Sequence, residues 1–161
     1  MIRFSRISTS AALGLLTALL FQASALFSVA QTQKTRAGDD DAPIFSEYRS
    51  VRIGMTAEEV RKKLSNPNDK SDEQDFFVFN DNESAQVFYD KTHKVFAISV
   101  NFLKDAREIP TAKGVFGADL APKSDGSIYK MVRYPKSGCW VSFSRTAGDS
   151  PLTTVTLQKI E

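Results

Sequence analysis

Residues 95–103 read Val-Phe-Ala-Ile-Ser-Val-Asn-Phe-Leu. Phe96, Ile98, Val100 and Phe102 point one way, and Ala97, Ser99 and Asn101 the other. A period of two belongs to a strand, because successive side chains leave opposite faces of an extended backbone. A strand apolar on one side must belong to a sheet with one packed face. Two shorter runs precede it, Phe76–Phe79 and Ala85–Tyr89, separated by the turn residues Asp81–Ser84 and Asp90–Lys94. Three more follow an irregular stretch, Lys104–Asp125: Ser127–Tyr134, Cys139–Ser144 and Leu152–Ile160. Turns this short join antiparallel neighbours, so the strands form a meander.

Ahead of the strands lies Gly54-Met55-Thr56-Ala57-Glu58-Glu59-Val60-Arg61-Lys62-Lys63-Leu64. Thr56 followed three residues later by Glu59 is a capping box, and Met55 and Val60 occupy the positions of a hydrophobic staple. Acids at the front and bases at the back suit the helix dipole. Val60 and Leu64 form one apolar edge, and Pro67 stops the run. The pattern predicts about nine helical residues, too few to persist without docking. A second, irregular helix is expected near Asp105. The fold class is therefore α+β, a short capped helix on an antiparallel sheet of about six strands. The two halves read alike: each has a strand, a turn, a strand, a turn and a longer strand. Ile53-Gly54 leads the first, and Phe116-Gly117, then a short Ala118–Lys123 segment, leads the second. Two tandem helix-plus-meander units account for this; so does the self-similarity of any six-strand meander.

The chain opens with Arg3 and Arg6, then an apolar stretch from Ala11 to Ala25 and small residues at Ala23-Ser24-Ala25 and Ser28-Val29-Ala30. That order is a secretory signal, cleaved after Ala30 or, as second choice, Ala25. An uncleaved anchor is the alternative, since about eighteen apolar residues approach a membrane span. No cysteine stands near either site, which excludes a lipid anchor. Residues 1–30 are thus read as signal, 31–45 as a polar linker containing Asp39-Asp40-Asp41, and 46–161 as one domain. The expected location is periplasmic or secreted.

Of 21 basic and 19 acidic residues, the excess is Arg3 and Arg6; without them the signs balance. Nucleic-acid binding, which needs a concentrated basic face, has no support. Cys139 is the single cysteine, so the chain holds no internal disulfide, and a buried free thiol is expected. His93 is the single histidine and falls in a hairpin turn. With one His and one Cys, no triad, zinc set, phosphate loop or calcium loop has its residues. No catalytic, cofactor or metal residues are assigned.

The run Ile53-Gly54-Met55-Thr56 through Val60, Leu64 and Pro67, then strands and the turn from Tyr89-Asp90 to Val95, resembles the small SmpA/BamE-like proteins of the bacterial envelope. It is similar, too, to the related beta-lactamase-inhibitor-protein-like fold, in which the unit is doubled. The likeness covers Arg52–Phe102. The helix end Leu64-Ser65-Asn66-Pro67 lacks the usual glycine, Asn66 being the candidate for the left-handed position. The family's lipidated cysteine is absent as well. The resemblance implies a fold and a binding role.

Binding then needs a surface. If Val141 and Phe143 face the core, Trp140 faces out, and with Tyr129, Arg133 and Arg145 it makes a patch of the residue types that anchor interfaces. Alternatively Trp140 packs under the helix or under the Lys104–Asp125 stretch. The expected function is a non-enzymatic module of the cell envelope that binds another envelope or secreted protein or peptide. The alternatives are a small-molecule or lipid carrier with an apolar cavity between sheet and helix, and an envelope hydrolase using carboxylates such as Asp75 and Glu83. A membrane partner enters only through an uncleaved signal.

Overall fold

The computed structural model describes residues 42–160. The signal segment 1–30, its cleavage sites and nearly all of the 31–45 linker, the Asp39–Asp41 run included, lie outside the described residues.

Element order is α1 (Ala57–Leu64), β1 (Asp69–Lys70), β2 (Gln74–Asn80), β3 (Glu83–Tyr89), β4 (Val95–Phe102), α2 (Ala112–Phe116), β5 (Ile128–Tyr134), β6 (Cys139–Arg145) and β7 (Thr153–Lys159). All seven strands form one antiparallel sheet in the order β1-β2-β3-β4-β7-β6-β5. The α+β expectation holds, with sheet predominating. Six strands lie where the alternation placed them. The seventh, β1, has two residues and arises by pairing with Asp75 and Phe76.

The capping box forms as read. The Glu59 amide donates to Thr56 Oγ1 at 3.3 Å, and the Thr56 amide donates to Glu59 Oε2 at 2.8 Å. The helix ends at Leu64, and Ser65, not Asn66, takes the positive φ of 73°. The β3–β4 turn holds the helix entry: the Ala57 amide donates to the His93 carbonyl, and Gly54 and Val95 exchange bonds with Val95 and Met55. His93 sits in that turn, exposed, at φ 55°.

One correction concerns the helices. The second helix is not near Asp105 but just ahead of the Ala118–Lys123 segment, at Ala112–Phe116, capped by Thr111 and closed by Gly117 at φ 77°. Both α1 and α2 bury one edge, Ala57 with Val60 and Ala112 with Val115, in the cluster formed by one sheet face. That face includes Phe77, Ala85, Val87, Ile98, Val100, Val141, Phe143, Val155 and Leu157, all essentially inaccessible. Cys139 is buried at its end as a free thiol, and burial pushes its pKa up.

A second correction concerns β4. Phe88 pairs with Ala97, but Tyr89 pairs with Val95, which leaves Phe96 as an extra residue. Such a bulge shifts the side-chain parity. Val95 takes the buried position, and Phe96 lies half-buried beside Phe88 on the opposite face, ring centroids 6.2 Å apart.

Candidate binding face

The strand register places the other face in three rows of six across β5-β6-β7-β4-β3-β2. The first is Arg133, Trp140, Gln158, Ala97, Phe88, Gln74. The second is Met131, Ser142, Thr156, Ser99, Gln86, Phe76. The third is Tyr129, Ser144, Thr154, Asn101, Ser84, Val78. Except for Ala97, every one is half-buried or exposed, so this is the open face among the described residues. The small middle side chains bond across strands: Ser99 to Thr156 at 3.1 Å, and the Thr154 hydroxyl to Asn101 Oδ1 at 2.8 Å. Large apolar groups flank them. Tyr129, Met131 and Trp140 lie toward β5, and Phe76, Val78 and Phe88 toward β2. Tyr129, Met131 and Val78 are 56 %, 47 % and 46 % exposed.

One of these eighteen side chains, Arg133, is charged, and β1 adds Asp69 beside Phe76 at the far edge, in a chain where 25 % of residues are charged. Depletion of charge with enrichment of aromatics and Met marks the centre of protein interfaces. The patch expected from the sequence is placed in part. Tyr129, Arg133 and Trp140 share the open face, and Trp140 pairs directly with Arg133. Trp140 is half-buried there rather than under a helix. Arg145 does not join them. It has the parity of Cys139, Val141 and Phe143 and pairs with Ile128 at the rim of the covered face. Met131, with the parity of Tyr129, stands in the patch instead; the alternation already contained that signal.

The two carboxylates proposed for hydrolysis are both engaged. Asp75, fully buried, accepts from Arg61 Nε at 2.8 Å, from Arg61 Nη2 at 2.9 Å and from the Tyr89 hydroxyl at 2.8 Å. Glu83 accepts from the Tyr48 hydroxyl and from Arg49 at 3.1 Å on each oxygen. Burial pushes the Glu83 carboxyl up, but the Tyr48 and Arg49 hydrogen bonds outweigh it, and the net shift is downward. A general acid needs the opposite shift. The paired tyrosines are raised, first by burial and then by their carboxylate partners, so they act as donors. Among the described residues no three His, Cys, Asp or Glu side chains converge as metal ligands.

A cleft of about 840 Å³ lies where the Trp140 row reaches the β3–β4 turn. Phe88, Phe96, Tyr89 and Ile160 line it together with Gln74, the acidic Asp72, Glu73 and Asp90, and Lys91, His93 and Lys159. Two others, about 340 and 460 Å³, lie along the β2–β3 hairpin and beside Tyr48. None of the three takes a residue from α1 or α2, so the cavity expected between sheet and helix is not among them.

No family model, no curated protein and no solved structure matches this chain.

Proposed function

We propose that this is an exported, non-enzymatic module of the cell envelope that binds another protein or peptide on the open face of its sheet. The carrying observation is the single charge among eighteen side chains on a face where Tyr129, Met131 and Trp140 stand exposed or half-buried. A solvated sheet face ordinarily alternates apolar-in with polar or charged-out. Here the outward set is mostly aromatic, hydroxyl and amide, which costs less to desolvate against a partner than charge does, and part of it is already hydrogen-bonded across strands. The engagement of Asp75 and Glu83 by arginine and tyrosine speaks for binding over hydrolysis.

The sheet order supports a finer reading. Two three-strand meanders, β2-β3-β4 and β5-β6-β7, meet through their third strands, and each follows a capped helix. We read them as tandem units, in keeping with the likeness of residues 52–102 to BamE-like and inhibitor-protein-like domains. A doubled sheet gives a broader face than either unit alone.

The test is capture of envelope proteins on the immobilised full chain, compared with Trp140→Ala. Capture of a defined partner is expected to fall at least tenfold while the unfolding transition stays in place. Loss of the transition would make Trp140 a core residue and end the reading. The 840 Å³ cleft favours a second reading, a small apolar ligand against Phe88 and Phe96. Its volume is within the range of ligand sites, and saturable binding of an apolar dye lost in Phe96→Ser would support it.

A further inference from the structure

The two edges of the sheet are treated differently. On the β2 edge, the Asn68 amide donates to the Phe76 carbonyl, and the Val78 amide donates to Asn68 Oδ1. The Ser71 amide and hydroxyl both donate to the Gln74 carbonyl, and the Gln74 amide donates to Ser71 Oγ. That edge is closed. The β5 edge is not: Ile128–Tyr134 pairs with β6 on one side, and no strand follows it on the other among the described residues. A seven-residue open edge is a template for another strand.

Charge says what kind of strand. β5 and β6 together carry Lys130, Arg133 and Arg145 and no carboxylate. Lys123 lies 5.8 Å from the Tyr129 ring, and the nearby Asp125 is engaged by the Ser127 amide and hydroxyl. Lys130 and Arg133 have opposite parity. Arg133 stands on the open face, and Lys130 lies over the Phe116 ring at 5.3 Å on the helix side. A strand laid along β5 therefore meets one cation on each face, at positions three residues apart.

A second copy fits poorly. Antiparallel pairing of β5 with itself, centred on Met131, sets Lys130 opposite Val132 and Arg133 opposite Tyr129, so two Lys130 and two Arg133 come to one seam with no carboxylate to meet any of them. Pairing of β5 with the acidic β2 edge of a neighbour would require breaking the bonds that Asn68 and Ser71 already make.

We propose that β5 is extended by a segment of a different protein, an extended peptide with acidic residues at i and i+3, added as an eighth strand. The main chain supplies the ladder, and the two carboxylates meet Lys130 and Arg133 on opposite faces. This surface shares Arg133 with the open face, but its ladder comes from the β5 edge, so it does not rest on that face being a binding surface.

The test uses the full chain and a capped nine-residue peptide of Thr and Val with Glu at i and i+3. Three relatives accompany it: one with Lys for Glu, and two N-methylated at alternate residues in the two registers. Expected are saturable binding that weakens with salt, a loss of at least tenfold with Lys in the peptide, and a loss of at least tenfold in Lys130→Gln/Arg133→Gln. One N-methyl register should abolish binding and the other retain it. The backbone amide resonances of β5 should shift. Equal binding by both N-methyl registers would overturn the proposal, as would no binding at low salt, since the two cations would then only guard the edge. Trp140→Ala should leave the peptide's affinity within twofold. If it abolishes binding, the peptide sits on the open face and the edge proposal falls. A dimer of the unliganded chain that vanishes on disrupting β5 would overturn it too.

Discussion

Helix α1 is tied to its own half of the sheet by more than apolar contact. Arg61 reaches from the helix to Asp75 on β2 and to the Ser71 carbonyl, and Tyr89 on β3 closes the cluster. A second set, Arg49, Glu83 and Tyr48, holds the other end of the β2–β3 hairpin. Among the described residues helix α2 has no such cluster, only Lys130 of β5 lying over its Phe116 ring. It has five residues, a glycine in its middle, a single side-chain cap and two buried contacts, Ala112 and Val115. All three salt bridges between described residues fall in the first half. The open edge and the exposed pair Tyr129 and Met131 fall in the second, while the exposed apolar residues of the first, Ile44, Val78 and Leu103, are scattered singly. The first half is built to hold, and the second presents surface. One sheet can do both because β4 and β7 are joined along six paired positions, so stability generated on one side is shared with the other.

The largest effect that would break this contrast is on the ion pair. Arg61→Ala leaves Asp75 fully buried with one tyrosine for a partner, and such a loss costs about 3–5 kcal/mol. Urea unfolding measures it. A cost under about 1 kcal/mol would mean that water reaches Asp75 and that the first half is no better anchored than the second.

Next come the helices themselves. Val60 and Val115 are both essentially inaccessible. Trimming either to Ala removes two methyl groups, about 0.8 kcal/mol each, plus a small cavity, or about 2 kcal/mol in all. Equal costs at the two positions would show that α2, though short, is docked as firmly as α1. A much smaller cost for Val115→Ala would sharpen the contrast by making α2 a loosely held cover. Smaller again are the caps. Thr56→Ala dismantles a reciprocal box and is expected to cost about 1 kcal/mol. Thr111→Ala removes one bond to the Gly114 amide and should fall at the lower end of the range, about 0.5 kcal/mol. The ratio of the two, read from urea midpoints, is the measurement.

The same contrast explains what could be read from the sequence. The capping box and the six strands were legible because their signals are local and repeat: period-two alternation, Thr and Glu three apart, Asx-rich turns. β1 was not, because Asp69 and Lys70 have no strand character of their own and become a strand only where β2 offers an edge. α2 was visible only in its ends, Thr111 and Gly117, since five residues leave no room for a 3.6-residue period. Phe96 was misassigned because a bulge is a property of two paired strands, and the alternation of one strand does not contain it. Arg145 is different. Its parity with Val141 and Phe143 is legible in the alternation of the strand and sets it on the face opposite Trp140, although its residue type suits an interface. The register also brings Phe76, Val78 and Phe88 onto the face with Trp140, from strands about sixty residues away in the chain, which only the β4–β7 pairing could reveal.

The smallest expected effect carries the most weight for function. Met131 is 47 % exposed on the edge strand, and its neighbour across the register is Ser142. Met131→Ser gives up apolar surface that is already half in water and leaves no buried polar group unpaired. Its effect on unfolding should stay within about 0.5 kcal/mol. Tyr129→Ser should behave alike, apart from its weak contact with Lys123. A stabilising role would show as a loss well above that figure, and the open face would then be a core exposed only for want of a covering layer. If the loss is negligible, folding does not account for Tyr129 and Met131 standing exposed beside the half-buried Trp140 on a face nearly without charge, and contact with another molecule does. The same substitutions in the first half differ in kind: Phe77→Ser, on the covered face, would bury a hydroxyl beside Ala85 and leave Phe79 without its stacked ring, and unfold the sheet from the side on which its stability is made.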